Sequence, residues 1–250
     1  MPKYIFTLFT FIFITSSSTF SQDLDSTKTQ PFATQKLSSY VAPAVFIGYG
    51  AISFAGNNFI RQLDHSTHGE LKEDFPLFGV RLDNYTQYAP LVAFYGLDFL
   101  GIKAKHNIVD RSATLVLSTA IMATSVGLLK ISTNRLRPNG SNKKSFPSGH
   151  TATAFMLAEL LNQEYKDKSV WYSVAGYSLA TATGVFRMYN KAHWVSDVVA
   201  GAGFGLLSTK VAYLIYPEIK KLITDNKSNN LSLSPTYIQG ANGFAITYKF

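Results

Sequence analysis

Apolar residues in this chain fall into six runs separated by polar segments. Val41 to Ile60 contains no charge, Thr86 to Ile102 is apolar except for Asp98, and Ser112 to Leu129 is again uncharged. Thr151 to Tyr165 is apolar on one face but carries Glu159 and Glu164. Ser169 to Phe186 is uncharged, and His193 to Tyr216 holds His193, Asp197 and Lys210 in an otherwise apolar run. The runs predict helices. Three reach the length of a bilayer span, and the others suit core helices or functional membrane helices. Gly201, Gly203 and Gly205 recur where close helix packing needs small residues. The expectation is an all-α fold, a membrane-embedded bundle of about six helices within residues 41–222.

The two ends differ from this middle. Lys3, the apolar stretch Ile5 to Ile14 and the Ser/Thr run after it read as a secretory signal, residues 1–21, cleaved after Ser21. Residues 22–40 are polar and predict a flexible mature N-terminus. Residues 223–250 predict a polar linker and a short C-terminal β-hairpin. Leu231 to Ile238 and Phe244 to Phe250 alternate in polarity around the turn segment Gln239 to Gly243. Two strands cannot close a membrane barrel, so that reading of the end is rejected.

Composition sharpens the picture in three places. Charged residues make up 15% of the chain, against about 25% in soluble domains, which points to contact with lipid. The mean hydropathy of +0.07 is low for a protein made wholly of membrane helices. Cysteine is absent, so disulfides, cysteine catalysis and thiolate metal sites are excluded. The net charge of +8 suits either basic flanks beside a membrane or a pocket for an anion. Nucleic acid is not an expected partner, because the basic residues are scattered and no nucleic-acid module is present.

Three polar segments sit at helix ends. The first runs from Lys130 to Pro138 and carries Lys130, Arg135 and Arg137. The second is Pro147-Ser148-Gly149-His150. The third runs from Arg187 to Asp197 and carries His193. Each has an ordinary reading: a basic flank, a turn into a helix, and a helix-surface His–Asp pair. A zinc half-site is a further reading of the third. Each also has a chemical reading. His193 and Asp197, four apart, share one helix face, where the carboxylate fixes the imidazole tautomer and frees the other nitrogen as nucleophile or base. N–H groups at a helix start bind phosphate oxygens, and Gly149 allows close approach. Lys130, Arg137 and Arg187 supply cations suited to phosphoryl oxygens. Ser148 lacks the G-x-S-x-G setting of a serine-hydrolase nucleophile.

The joint pattern Lys-x6-Arg-Pro, Pro-Ser-Gly-His and Arg-x5-His-x3-Asp resembles the type 2 phosphatidic-acid phosphatase superfamily, which also holds bacterial acid phosphatases and vanadium haloperoxidases. The resemblance spans about Lys130 to Asp197. One departure is Phe186, where the third motif often has serine. The resemblance implies a phosphoric ester hydrolase with His193 as nucleophile, Asp197 holding its imidazole, and His150 as general acid and then base. It implies that Lys130, Arg137, Arg187 and the backbone at Ser148 and Gly149 bind the phosphoryl group, with no metal and no cofactor. The flanking helices favour a phosphorylated lipid as substrate. The alternatives are a soluble periplasmic acid phosphatase, a vanadium-dependent haloperoxidase, or a non-enzymatic membrane protein with a decayed site.

The expected location is a bacterial cell membrane with the site facing the periplasm. The topology signals conflict. A cleaved signal with six spanning helices puts residues 131–149 in the cytoplasm, whereas the basic segment 103–111, with His106, reads as the cytoplasmic loop. His65 and His68 lie in a polar stretch read as surface loop rather than metal site. Asp83, Asn84 and Asp98 fall near the second apolar run without an assigned role.

Overall fold

The computed structural model describes Phe32 and residues 36–225, 231–238 and 241–248. The signal, most of the N-terminal segment and residues 226–230 lie outside the described residues. A 3-10 turn, Leu37–Tyr40, leads into α1 (Val41–Ile52). Then follow α2 (Phe59–Asp74), α3 (Asp83–Thr86), α4 (Ala89–Phe99) and α5 (Ile108–Thr133). The series ends with α6 (Gly149–Tyr165), α7 (Val170–Tyr189) and α8 (Val195–Asp225). β1 (Leu231–Ile238) pairs antiparallel with β2 (Ala241–Tyr248), with Ile238 opposite Ala241. Ala241 to Gly243 therefore belong to a strand and not to the turn.

Two elements depart from the apolar pattern. The uncharged run 41–60 is not one helix. Asn58 breaks it: its Nδ2 donates to Ile52 O (2.6 Å), and its Oδ1 accepts from Arg61 N (3.0 Å) and so caps α2. The polar stretch holding His65 and His68 is helix α2 and not a loop. Ile60, Leu63, Asp64, Thr67 and Leu71 form its inward stripe.

α6 is the central helix. It is buried along most of its length and packs against α4, α5, α7 and α8. Phe94, Met122, Val126, Met156, Leu157, Leu160, Tyr165 and Tyr213 form the main apolar core. Glycines set how closely α8 approaches. A Cβ on Gly205 would lie 2.3 Å from Ala152 O, and one on Gly201 would lie 2.5 Å from Ser148 O. Gly203 faces α1 instead, where a Cβ would meet Pro43 O at 2.9 Å.

Among the described residues two helices, α5 and α8, are long and apolar enough to cross a membrane. They differ in setting. Only 22% of the apolar window of α5 is buried within the bundle, against 61% for α8. Val109, Val116, Leu128 and Ile131 are exposed along α5. An outward apolar face of this kind suits lipid. α1 and α4, at 12 and 11 residues, are too short to span.

The basic segment 103–111 is not a free flank. Arg111 is buried, pairs with Asp98, and donates to Phe94 O and Tyr165 Oη (both 2.9 Å). His106 is buried against Glu164, with Nδ1 2.8 Å from Oε1, and Phe32 stacks on its ring at 4.0 Å. Lys105 pairs with Asp167 at 3.3 Å. These charges are answered inside the protein, so they carry little weight as a topology signal. Glu159 is likewise buried, held by Lys210 (2.7 Å) and Gln163 (2.6 Å).

Candidate active site

The three polar segments converge at one end of the bundle. The first follows α5, the second opens α6, and the third links α7 to α8. Asn134, at φ +47°, ends α5 in the left-handed conformation and turns the chain into the first segment. The loop then returns through backbone bonds from Arg137 N to Asn142 O and from Ser145 N to Arg135 O, both 3.0 Å.

His193 does not lie on a helix, although it is four residues from Asp197. Trp194 is the N-cap of α8, since its carbonyl accepts the first helical bond from Val198 N (3.1 Å). Asp197 stands at the third helical position and reaches back to Trp194 N (2.9 Å). This is the reciprocal half of a capping box. It brings Oδ2 of Asp197 to 3.6 Å from Nδ1 of His193, an ion-pair distance longer than a hydrogen bond. Both side chains are buried. Nδ1 is buried and has no hydrogen-bond partner, only the Asp197 carboxylate at ion-pair distance, and Nε2 meets no protein partner among the described residues. Burial outweighs Asp197 and, with the cations Lys130 and Arg187, pushes the His193 imidazole down to about 4. The ring is therefore neutral near pH 7, as a nitrogen nucleophile must be.

Opposite it stands the start of α6. Ser148 is fully buried and caps the helix, with Oγ 2.8 Å from Thr151 Oγ1 and 3.4 Å from Thr151 N. Its own N–H donates to Asp197 O at 2.9 Å. Ser148 thus ties the two helix starts together and has no free N–H to offer an anion. Among the described residues, the N–H groups of Gly149 and His150 meet no acceptor, so these are the donors the helix start presents. Space above Gly149 is open, since a Cβ there would meet only Lys130 Cε at 3.8 Å.

The cations are held differently. Lys130 Nζ donates to Pro147 O (2.6 Å) and Lys144 O (3.0 Å), bracing the loop ahead of α6. Arg187 is gripped by Asp83, whose other oxygen accepts from Asn190 Nδ2 (3.1 Å). The Arg137 guanidinium has no protein partner among the described residues, and burial and Arg187 hold it below its usual basicity. His150 is half-buried, with Nε2 2.9 Å from Asn84 Oδ1. Burial first, then Arg187, Arg137 and Lys130 against Asp83, lower its imidazole to about 4.

Several contributors were not assigned from sequence. Asp83 and Asn84, on a helix of four residues, position Arg187 and His150. Ser145 donates to Asp197 Oδ2 at 2.5 Å. Arg135 lies inside the first segment, yet spacing gave it no role; its Nη1 is 2.8 Å from Asp197 Oδ1 and its Nη2 is 2.7 Å from Asp64 Oδ2. His65 and His68 lie on α2 beside this end of the bundle. Their rings pack edge-on against Trp194 at 4.9 and 5.4 Å.

Two histidines, an aspartate and three cations thus gather near the N-terminus of α6 at one end of the helical bundle. Residues 111–221 match the model of the PAP2 superfamily. Over 139 residues it is 42% identical to the Lipid A 1-phosphatase of Porphyromonas gingivalis, a stretch covering 55% of this chain and 31% of that protein. The chain thus spans about a third of that relative's length. Among solved structures it is similar to LpxE from Aquifex aeolicus, with 24% identity and a TM-score of 0.44 over 58% of this chain and 92% of that one. It is also similar to the first transmembrane PAP2 type phosphatidylglycerolphosphate phosphatase from Bacillus subtilis. There the identity is 17% and the TM-score 0.47, over 75% of this chain and 98% of that one.

Proposed function

We propose that this chain is a lipid phosphate phosphatase that works through a phosphohistidine on His193. The observation that carries the reading is the neutral, buried His193. Asp197 backs its Nδ1, and its free Nε2 lies within electrostatic reach of Lys130 and Arg187. In the first step Nε2 attacks phosphorus, the Nε2–P bond forms, and the bond to the leaving oxygen breaks as His150 gives that oxygen its proton. In the second, His150 takes a proton from water, the water oxygen attacks phosphorus, and the Nε2–P bond breaks to release inorganic phosphate. Binding a phosphate dianion adds negative charge beside His150 and raises its proton affinity, so the acid is made ready by the substrate. Gly149 N–H, His150 N–H, Arg137 and Arg187 bind the equatorial oxygens, and charge supplied by these groups takes the part a metal would play.

A lipid substrate is supported by the outward apolar face of α5 and by the 42% identical relative named Lipid A 1-phosphatase. The assay is phosphate release from lipid A, phosphatidic acid, phosphatidylglycerol phosphate and polyprenyl diphosphate. It uses detergent-purified protein with chelator, beside His193→Ala. Release that is lost in the variant supports the reading, and release that His193→Ala retains sinks it. The site is proposed to face the periplasm. An impermeant thiol reagent on Lys143→Cys should label intact spheroplasts, and protection there overturns that orientation.

A further inference from the structure

We propose that Arg135, gripped by Asp64, is a positioning residue that holds the Asp197 carboxylate in register with His193. The proposal rests on the reading of His193 as nucleophile, and it extends the site to α2. Arg135 Nη1 binds Asp197 Oδ1 and Ser196 Oγ, each at 2.8 Å, and lies 3.3 Å from Ser53 Oγ. Its Nη2 binds Asp64 Oδ2 at 2.7 Å. Asp64 is 1% exposed and accepts in turn from the Ser196 backbone (2.8 Å) and hydroxyl (2.6 Å). Its Cζ lies 5.2 Å from the Phe54 ring centre and 5.7 Å from that of Trp194, within cation–π range of both.

Both terminal nitrogens of Arg135 are therefore taken by protein, Nη1 by Asp197 and Ser196 and Nη2 by Asp64. This separates it from Arg137, two residues on, whose guanidinium has no protein partner among the described residues. What Arg135 does touch is the carboxylate that backs His193. Asp197 has four claims on two oxygens: Arg135 on Oδ1, and Ser145, Trp194 N and His193 on Oδ2. Without Arg135, Oδ1 loses its anchor and the carboxylate is free to rotate about its last bond. Oδ2 then leaves the line to Nδ1. The fixed charges also fit. Two buried carboxylates against one guanidinium leave one negative charge to face the imidazole. Arginine suits the task because its rigid fork holds the two carboxylates on separate nitrogens in a fixed geometry.

The test uses the full chain in detergent micelles, with dioctanoyl phosphatidic acid as substrate. Arg135→Gln is expected to lower kcat by about 100-fold with KM within about twofold, since misplacement acts on the reacting group and not on phosphate binding. Arg135→Lys, which can anchor Oδ1 but not both acids, should recover part of that loss, and Asp64→Asn should lower kcat in the same sense. Histidine-selective 15N NMR reads the His193 ring without turnover: one tautomer, with the proton on Nδ1, in the wild type, and mixed tautomers in Arg135→Gln. An unchanged tautomer, an unchanged kcat, or a rise in KM alone overturns the proposal. Should Arg135→Gln fail to fold, Asp64→Asn and Arg135→Lys carry the same readouts. A wild type inactive on every phosphate ester sinks the functional reading, and the NMR comparison still decides the positioning role.

Discussion

Asp83 of α3 holds the guanidinium of Arg187 at the end of α7, across 104 positions of sequence. The four-residue helix α3 is thereby tied to the end of the bundle where the three polar segments meet. Its carboxylate is buried, and its second oxygen holds Asn190. A buried carboxylate that neutralises an arginine proposed to bind phosphate looks wasteful until geometry is considered. An arginine aims its fork only if something fixes it.

Asp83→Ala is therefore expected to weaken phosphate binding by releasing Arg187. The loss should appear as a raised KM, with kcat/KM down by roughly 10- to 100-fold, less than the cost of about 3 kcal/mol for deleting a whole electrostatic contact. Steady-state kinetics on a short-chain lipid phosphate check this. Unchanged kcat/KM would mean Arg187 needs no such anchor.

The two histidines predict how stability follows pH. Both imidazoles are lowered in the folded protein to about 4 from the usual 6.5. Below 6.5 the unfolded chain takes up protons that the folded chain refuses. The histidine contribution to stability should therefore be flat above about pH 6.5 and fall as pH drops from that value towards about 4. His193→Gln and His150→Gln should each make the melting temperature less sensitive to pH between 4 and 6.5. Thermal melts across that range give the answer, and parallel curves for wild type and variants would contradict it.

How much of this was written in the sequence depends on distance along the chain. The helices α5, α6, α7 and α8 follow from uncharged or one-sided runs, and the three polar segments sit at their ends. Asp83, Asn84 and Asp64 escaped because their partners lie 104, 66 and 71 residues away. No local period marks such contacts. α2 was hidden for a different reason: its inward stripe includes Asp64 and Thr67, so polarity read as a loop where the fold uses a buried acid. Arg111 and His106 misled in the opposite direction. Their charge suggested a basic flank, whereas Asp98 and Glu164 bury them.

The glycines of α8 test the packing that brings the segments together. Gly201→Ala would set a methyl against Ser148 O, and Gly205→Ala would set one against Ala152 O. Both neighbours are backbone, at the N-cap and in the first turn of α6, and cannot swing aside. Each variant should lose about 1–3 kcal/mol through overpacking. They should differ in function. Gly201→Ala pushes on Ser148, which ties Asp197 to the start of α6, so activity per folded molecule should fall. Gly205→Ala acts one turn deeper and should spare it. Denaturant melts and specific activity on the same samples separate the two.

His150 gives the sharpest kinetic prediction, because the same side chain is asked to act twice. A leaving group as good as p-nitrophenolate needs little protonation, so His150→Ala should still form phosphohistidine from p-nitrophenyl phosphate. An alkyl phosphate needs the acid and should react far more slowly, by something like 100- to 10,000-fold. Water attack in the second step needs the base for either substrate. His150→Ala with p-nitrophenyl phosphate should therefore release a burst of about one equivalent of nitrophenol and then turn over slowly. The trapped protein should carry an acid-labile phosphate that His193→Ala lacks. A variant that shows no burst and loses both substrates equally would move His150 out of proton transfer. Its 2.9 Å contact with Asn84 would then serve binding alone.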